Sequence, residues 1–142
     1  MDIQQTRALM RTQSIYGIPL RVTFYARVSS DTDEQLNSLD NQVAYYEDFI
    51  RKVTAWTYLP GYVDEGISGI STKKRAHFNE MIADAREGLF DLVITKEISR
   101  FARNTLDSLQ YTRELLRLGV GVFFQNDNIN TLDEDAELRL TI

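Results

Sequence analysis

Four arginines and one serine are the residues of this 142-residue chain best suited to chemistry. Arg27 opens Arg27-Val28-Ser29-Ser30, Arg75 closes Lys73-Lys74-Arg75, and Arg100 and Arg103 stand three apart in Ser99-Arg100-Phe101-Ala102-Arg103-Asn104. A guanidinium is planar, permanently charged and forked, which suits it to phosphate oxygens. Three-residue spacing on a helical turn predicts that Arg100 and Arg103 share a face. Any one of these arginines alone reads as a solvated or carboxylate-paired surface group. Four at the same end of a sheet read as a phosphate site. Ser29 alone reads as a loop or cap residue. Beside Arg27 and facing other guanidiniums, it has the charge stabilisation that phosphoryl transfer needs. Its hydroxyl could then attack a phosphodiester and form a covalent intermediate.

Other chemistries find less support. The chain has no cysteine and one histidine, His77, so disulfides, thiolate zinc sites and multi-histidine metal centres are excluded. His77 falls at a predicted helix start and reads as structural or exposed. Asp64, Glu65 and Asp91 are the carboxylates to weigh as magnesium ligands. Asp64-Glu65 reads as an ordinary loop pair, and Asp91 precedes its strand and should sit at the opposite end of the sheet. Gly66-Ile67-Ser68-Gly69 has neither the phosphate-loop nor the dinucleotide pattern.

The elements that must position these residues follow from hydrophobic period. Residues 22–28 read as a strand and residues 29–37 as a polar loop. Leu39, Val43, Tyr46, Phe49, Ile50 and Val53 make a helical stripe, with Ser38 placed to cap it. Residues 56–63 read as a strand interrupted at Pro60-Gly61, and 64–74 as a loop. Phe78, Met81, Ile82, Ala85 and Leu89 form a second stripe closed near Gly88. Leu92-Val93-Ile94 is a short buried strand of the parallel kind. Asn104 is placed to cap a helix that runs to Gly119, and residues 120–124 supply a further strand. Residues 132–142 read as the start of a further helix with Leu132, Ala136 and Leu140 as its apolar positions, and Asp133-Glu134-Asp135 suits its N-terminus. The order predicts one α/β domain with a mainly parallel central sheet of four to five strands flanked by helices. In such a sheet the site forms at the carboxyl ends of the strands, where all four arginines are expected.

A hydrophobic fraction of 43% supports a real core, and 26% charged residues suit a soluble surface. No apolar run approaches the roughly 20 residues of a membrane span. The first 17 residues lack the apolar segment of a signal peptide. The net charge is −5, and residues 127–142 carry five carboxylates against Arg139 alone. An acidic total argues against a self-sufficient DNA-binding protein but not against a catalytic module that another segment delivers to DNA.

Several of these segments together resemble the serine recombinases, the resolvase and invertase family. The likeness runs through Tyr25-Ala26-Arg27-Val28-Ser29, Ser38-Leu39-Asp40-Asn41-Gln42, Asp64-Glu65-Gly66-Ile67-Ser68-Gly69, Arg75, Phe90-Asp91-Leu92-Val93-Ile94 and Ile98-Ser99-Arg100-Phe101-Ala102-Arg103-Asn104. It covers roughly residues 20–142, leaving residues 1–17 as an N-terminal extension of uncertain structure. The longer loop before Arg75 is more similar to the large serine recombinases of phages and conjugative transposons than to the small resolvases.

The resemblance implies a resolvase-like catalytic domain over residues 18–130, with residues 131–142 starting a long helix toward separate DNA-binding domains. It implies Ser29 as the nucleophile, joined to the 5′ phosphate of cut DNA, with Arg27, Arg75, Arg100 and Arg103 around the scissile phosphate. Gln42 would assist, and Ser68, Ser99 and Asn104 would support the site or contact phosphate. No metal and no nucleotide cofactor is implied. The implied partners are double-stranded DNA attachment sites and a second copy of the chain, as dimers that pair into a synaptic tetramer, in a bacterial cytoplasm. One departure stands out: the family commonly has an aspartate directly before the first arginine of Arg-x-x-Arg, and here that residue is Ser99. The acid–base group is therefore open, with Glu97 and Arg103 both close in sequence. The rival readings are a recombinase-like module that does not cut DNA, and a metal-dependent nuclease or phosphatase on a similar fold.

Overall fold

The computed structural model describes residues 1–28, 33–65 and 75–141. Ser29, Ser30 and Ser68 lie outside the described residues. β1 (Arg21–Val28) is the central strand, and it alternates strictly. Val22, Phe24 and Ala26 enter one core with Tyr46, Ile50, Trp56, Leu92, Ile94 and Leu132. Tyr25 enters the other, with Phe78, Met81, Phe90, Phe101, Leu115 and Phe124. Both faces of the sheet are therefore covered, as a parallel sheet requires.

The sheet order is β2–β1–β4–β5–β6, with β3 also on β1. β2 (Thr57–Tyr58) pairs with the start of β1, and β3 (Tyr62–Glu65) with its end, both parallel. These are the two halves of the strand expected over 56–63. Proline has no N–H for the ladder, so the chain breaks at Pro60, whose carbonyl accepts from the Thr23 hydroxyl (3.0 Å). β4 (Leu92–Thr95) and β5 (Gly121–Phe124) continue the parallel sheet. β6 (Ile129–Asn130) adds an antiparallel edge absent from the sequence reading, because two residues are too few to alternate.

The helices hold the strand ends. α2 (Asp33–Lys52) starts five residues before the expected cap at Ser38. Its first turn is rich in helix formers such as Glu34 and Gln35 but has no apolar stripe, so periodicity passes over it. α3 (Ala76–Arg86) and α5 (Thr105–Arg117) close near Gly88 and Gly119, whose φ values of 71° and 88° are left-handed. α4 (Ile98–Phe101) is a single turn between β4 and α5, and α6 (Ala136–Thr141) follows the acidic run. Asn104 caps α5 as expected, accepting from the Asp107 N–H at 2.9 Å.

Residues 1–17 are part of this body. α1 (Ile3–Met10) is closed by a capping box between Asp2 and Gln5, and Thr6 is buried. Arg7 donates to the carbonyls of Leu132 (2.8 Å) and Thr131 (3.3 Å), and the Trp56 indole donates to the Ile15 carbonyl (3.2 Å).

Candidate active site

The carboxyl ends of β1, β3 and β4 carry the candidate residues. Asp91 lies at the opposite ends, as expected, where its carboxylate takes the Arg21 backbone N–H (2.8 Å) and guanidinium (3.1 and 3.0 Å). Alternation along β1 brings Tyr25 and Arg27 to one face, the face covered by α3 and α4.

Arg75 is 2% exposed, and burying a full charge demands compensation. Its guanidinium lies 3.7 Å from the Phe78 ring centroid and 5.2 Å from that of Tyr25. Its Nε donates to the Tyr25 hydroxyl (3.3 Å), which donates to Asp64 Oδ2 (2.8 Å). Asp64, also 2% exposed, accepts the backbone N–H groups of His77 (3.0 Å) and Phe78 (3.1 Å). The carboxylate thus caps α3 from a neighbouring strand, at the helix end that favours negative charge. Tyr25 bridges the two buried charges. Burial, more than any charge nearby, pushes its hydroxyl well above the usual tyrosine range, so it remains a donor. Asp64 is therefore no ordinary loop residue: it sits on β3 and anchors the site.

Arg27 and Arg75 share a second feature. A helix leaves its last carbonyls without internal partners, and a helix of four residues has few others. In α4 the arginines take them: Arg27 Nη2 donates to the Ser99 carbonyl (2.9 Å), and Arg75 Nη2 to the Arg100 carbonyl (3.4 Å). Burial, followed by repulsion from Arg75 and Arg100, lowers the Arg27 pKa from its ordinary value. Like charges held together beneath a surface favour an incoming anion, which relieves the repulsion.

Arg100 and Arg103 do not share a helical face. α4 ends at Phe101, and Ala102 (φ −147°, ψ 156°) is extended. Phe101 and Ala102 are buried in the core, and that anchoring turns the chain out of the helix. Arg103 leans instead on the first turn of α5, with its Nε 3.3 Å from Asp107 Oδ2. Arg103 and Asn104 line an open cleft of about 490 Å³ with Glu97, Ser99, Asn126 and Asp127. Gln42 lies half-buried on α2. The structure thus ties Arg27 and Arg75 to the carbonyls of α4, the turn that carries Arg100, and puts Ser99, Arg103 and Asn104 in the neighbouring cleft.

A family model described as the N-terminal domain of resolvases matches residues 22–142. The chain belongs to the resolvase family. Among solved structures, this resolvase-family domain is similar to a resolvase family site-specific recombinase from Streptococcus pneumoniae, with 29% identity, a TM-score of 0.71, and coverage of 86% of this chain and 83% of that one. The N-terminal catalytic domain of TP901-1 integrase is 25% identical with a TM-score of 0.61, over 85% of this chain and 88% of that one. A serine recombinase from Sulfolobus solfataricus is 25% identical with a TM-score of 0.60, over 84% and 73%. No curated protein matches. The domain has the serine recombinase catalytic fold, and among the described residues no helix is long and apolar enough to cross a membrane.

Three residues of this resolvase-family site, Tyr25, Asp64 and Glu97, take structural roles that the sequence alone does not assign them. Tyr25 was in plain view, two residues before Arg27 and therefore on its face. Asp64 carried a weaker signal, a carboxylate at the end of a strand. Glu97 accepts from the Ser99 hydroxyl (3.1 Å) and from Asn126 Nδ2 (3.4 Å), a pairing that needs the turn of α4 and the loop after β5 together.

Proposed function

We propose that this domain cuts and rejoins DNA at specific sites through a covalent serine intermediate. Ser29 follows Arg27 by two residues, directly after β1. Its hydroxyl oxygen bonds to the scissile phosphorus and gives up its proton, the bond from phosphorus to the 3′ oxygen breaks, and that oxygen takes up one proton to leave as the 3′ hydroxyl, so no proton is gained or lost overall. The product is a 5′-phosphoserine ester whose bond energy is retained for religation, so the chemistry calls on neither metal nor nucleotide. Arg27, Arg75, Arg100 and Arg103 hold and neutralise the phosphate, with Gln42, Ser68, Ser99 and Asn104 supporting. A guanidinium aimed at charge that develops in the transition state is the main electrostatic device of phosphoryl transfer. Double-stranded attachment sites are the substrate. Two dimers pair into a tetramer, and strand exchange precedes religation.

The observation that carries this reading is the pair of guanidiniums, Arg27 and Arg75, bonded to the carbonyls of α4, the turn that carries Arg100, beside the strand end that leads to Ser29, in a resolvase-family fold. Ser29→Ala in the recombinase that carries this domain should abolish cleavage of attachment-site DNA while site binding stays nearly unchanged. Cleavage at the wild-type rate would refute it.

A further inference from the structure

We propose that Glu97 is a positioning residue, one that sets the guanidinium of Arg27 by holding the turn of α4. The inference rests on the functional reading above, but it is argued from contacts that stand apart from Ser29.

α4 has four residues: Phe101 is buried at its end and Ile98 is half-buried at its start, while Ser99 and Arg100 between them are exposed. Its carbonyls nevertheless anchor Arg27 and Arg75. Something must hold the front of the turn, and two carboxylates do so. Asp127 accepts the Ile98 backbone N–H at 3.1 Å. Glu97 stands at the N-cap position, yet its side chain makes no bond to the backbone of α4. One of its oxygens takes the Ser99 hydroxyl and the other takes Asn126 from the loop after β5. Ser99 is tied at both of its polar ends, its hydroxyl to Glu97 and its carbonyl to Arg27. Glu97 therefore connects the β5 loop, through one residue, to the guanidinium of Arg27. Asp127 holds the backbone only, and no bond runs from it to the residue that receives Arg27.

Glutamine keeps the acceptor for Ser99, and Asn126 can turn its amide to present oxygen to the new NH2 group. The conservative variant should therefore preserve the arrangement, whereas alanine removes it.

The test compares Glu97→Ala and Glu97→Gln by two readouts. The first is the exchange of guanidinium protons with water, followed by NMR at Arg27 and Arg75. Glu97→Ala should speed exchange at Arg27 by about tenfold, the scale of one charge-assisted hydrogen bond, and at Arg75 by less, because Phe78 stacking also holds that group. Glu97→Gln should return Arg27 to near the wild-type rate. The second is cleavage of attachment-site DNA by the recombinase. Glu97→Ala should lower the maximal rate about tenfold with little change in half-saturating DNA, and Glu97→Gln should restore it with the wild-type pH profile. Unchanged exchange at Arg27 in Glu97→Ala would overturn the proposal. So would a Glu97→Gln variant as slow as alanine with a pH limb removed, which would make Glu97 a proton carrier. If the wild type does not cleave, the functional reading fails while proton exchange still decides the role of Glu97. If Glu97→Ala does not fold, Asn126→Ala should speed Arg27 exchange in the same direction by a smaller factor, and no change there would overturn the proposal.

Discussion

Replacing Tyr25 by phenylalanine isolates the hydroxyl that joins the two buried charges. The ring is fully buried and packs edge-on against Phe78 and Phe101, with centroids 5.2 and 6.4 Å away. Phenylalanine keeps these contacts and opens no cavity, so the loss is one of hydrogen bonds alone. The 2.8 Å bond to Asp64 is charge-assisted and buried, and bonds of that kind contribute about 1.5–3 kcal/mol. The 3.3 Å bond from Arg75 is longer and adds less. Asp64 keeps two backbone donors, and Arg75 keeps the Arg100 carbonyl, so neither charge is wholly orphaned. The expected cost is about 2–4 kcal/mol, a large part of the 5–15 kcal/mol typical of a domain. Urea unfolding measures it as a fall in midpoint with the slope unchanged. Tyr16→Phe, at an exposed ring, is the control and should shift stability by less than about 0.5 kcal/mol. A Tyr25→Phe protein within about 0.5 kcal/mol of wild type would refute the claim that this hydroxyl sustains the buried pair.

Three further outcomes follow from other contacts. Arg7→Ala leaves the carbonyls of Thr131 and Leu132, both on buried residues, without their guanidinium, and should cost about 1–3 kcal/mol in denaturant unfolding. Asp133→Asn should stabilise the fold at neutral pH, because burial, and then Asp135, raise the Asp133 carboxyl above its usual range. The native state then binds that proton more tightly than the unfolded chain, so the advantage of asparagine should vanish as pH falls below the carboxylate range in thermal melts. Arg103→Ala should slow DNA cleavage by about 10²–10³, the scale of losing one oriented charge at a phosphoryl centre, and far more than Arg113→Ala, whose partner is Glu137 on α6. Equal rates for the two variants would contradict the placement of Arg103 near the reacting phosphate.

Much of this arrangement is written in local pattern. The alternation of β1 states which residues face which core, and it puts Tyr25 beside Arg27 before any coordinate is known. Asn104 is legible as a cap because cap chemistry is local. The spacing of Arg100 and Arg103 misleads for the opposite reason. Three residues predict a shared face only while the helix lasts, and buried Phe101 and Ala102 end it between them. Asp64 reads as a loop residue because its partners, the first N–H groups of α3 and the Tyr25 hydroxyl, lie 13, 14 and 39 residues away. Its role exists only once β3 pairs with β1. The start of α2 and the two-residue β6 escape notice because neither carries an apolar period.

The central claim is that a serine at the end of β1 becomes covalently joined to DNA. The direct measurement is mass spectrometry of the peptides left after the recombinase is mixed with attachment-site DNA in chelator, quenched and digested with nuclease and protease. The account predicts a nucleotide phosphate on Ser29 at the 5′ side of the cut, absent from Ser29→Ala and retained in Ser30→Ala. Cleavage that needs a divalent metal and leaves no modified serine, or an adduct that maps to Ser30, would contradict it.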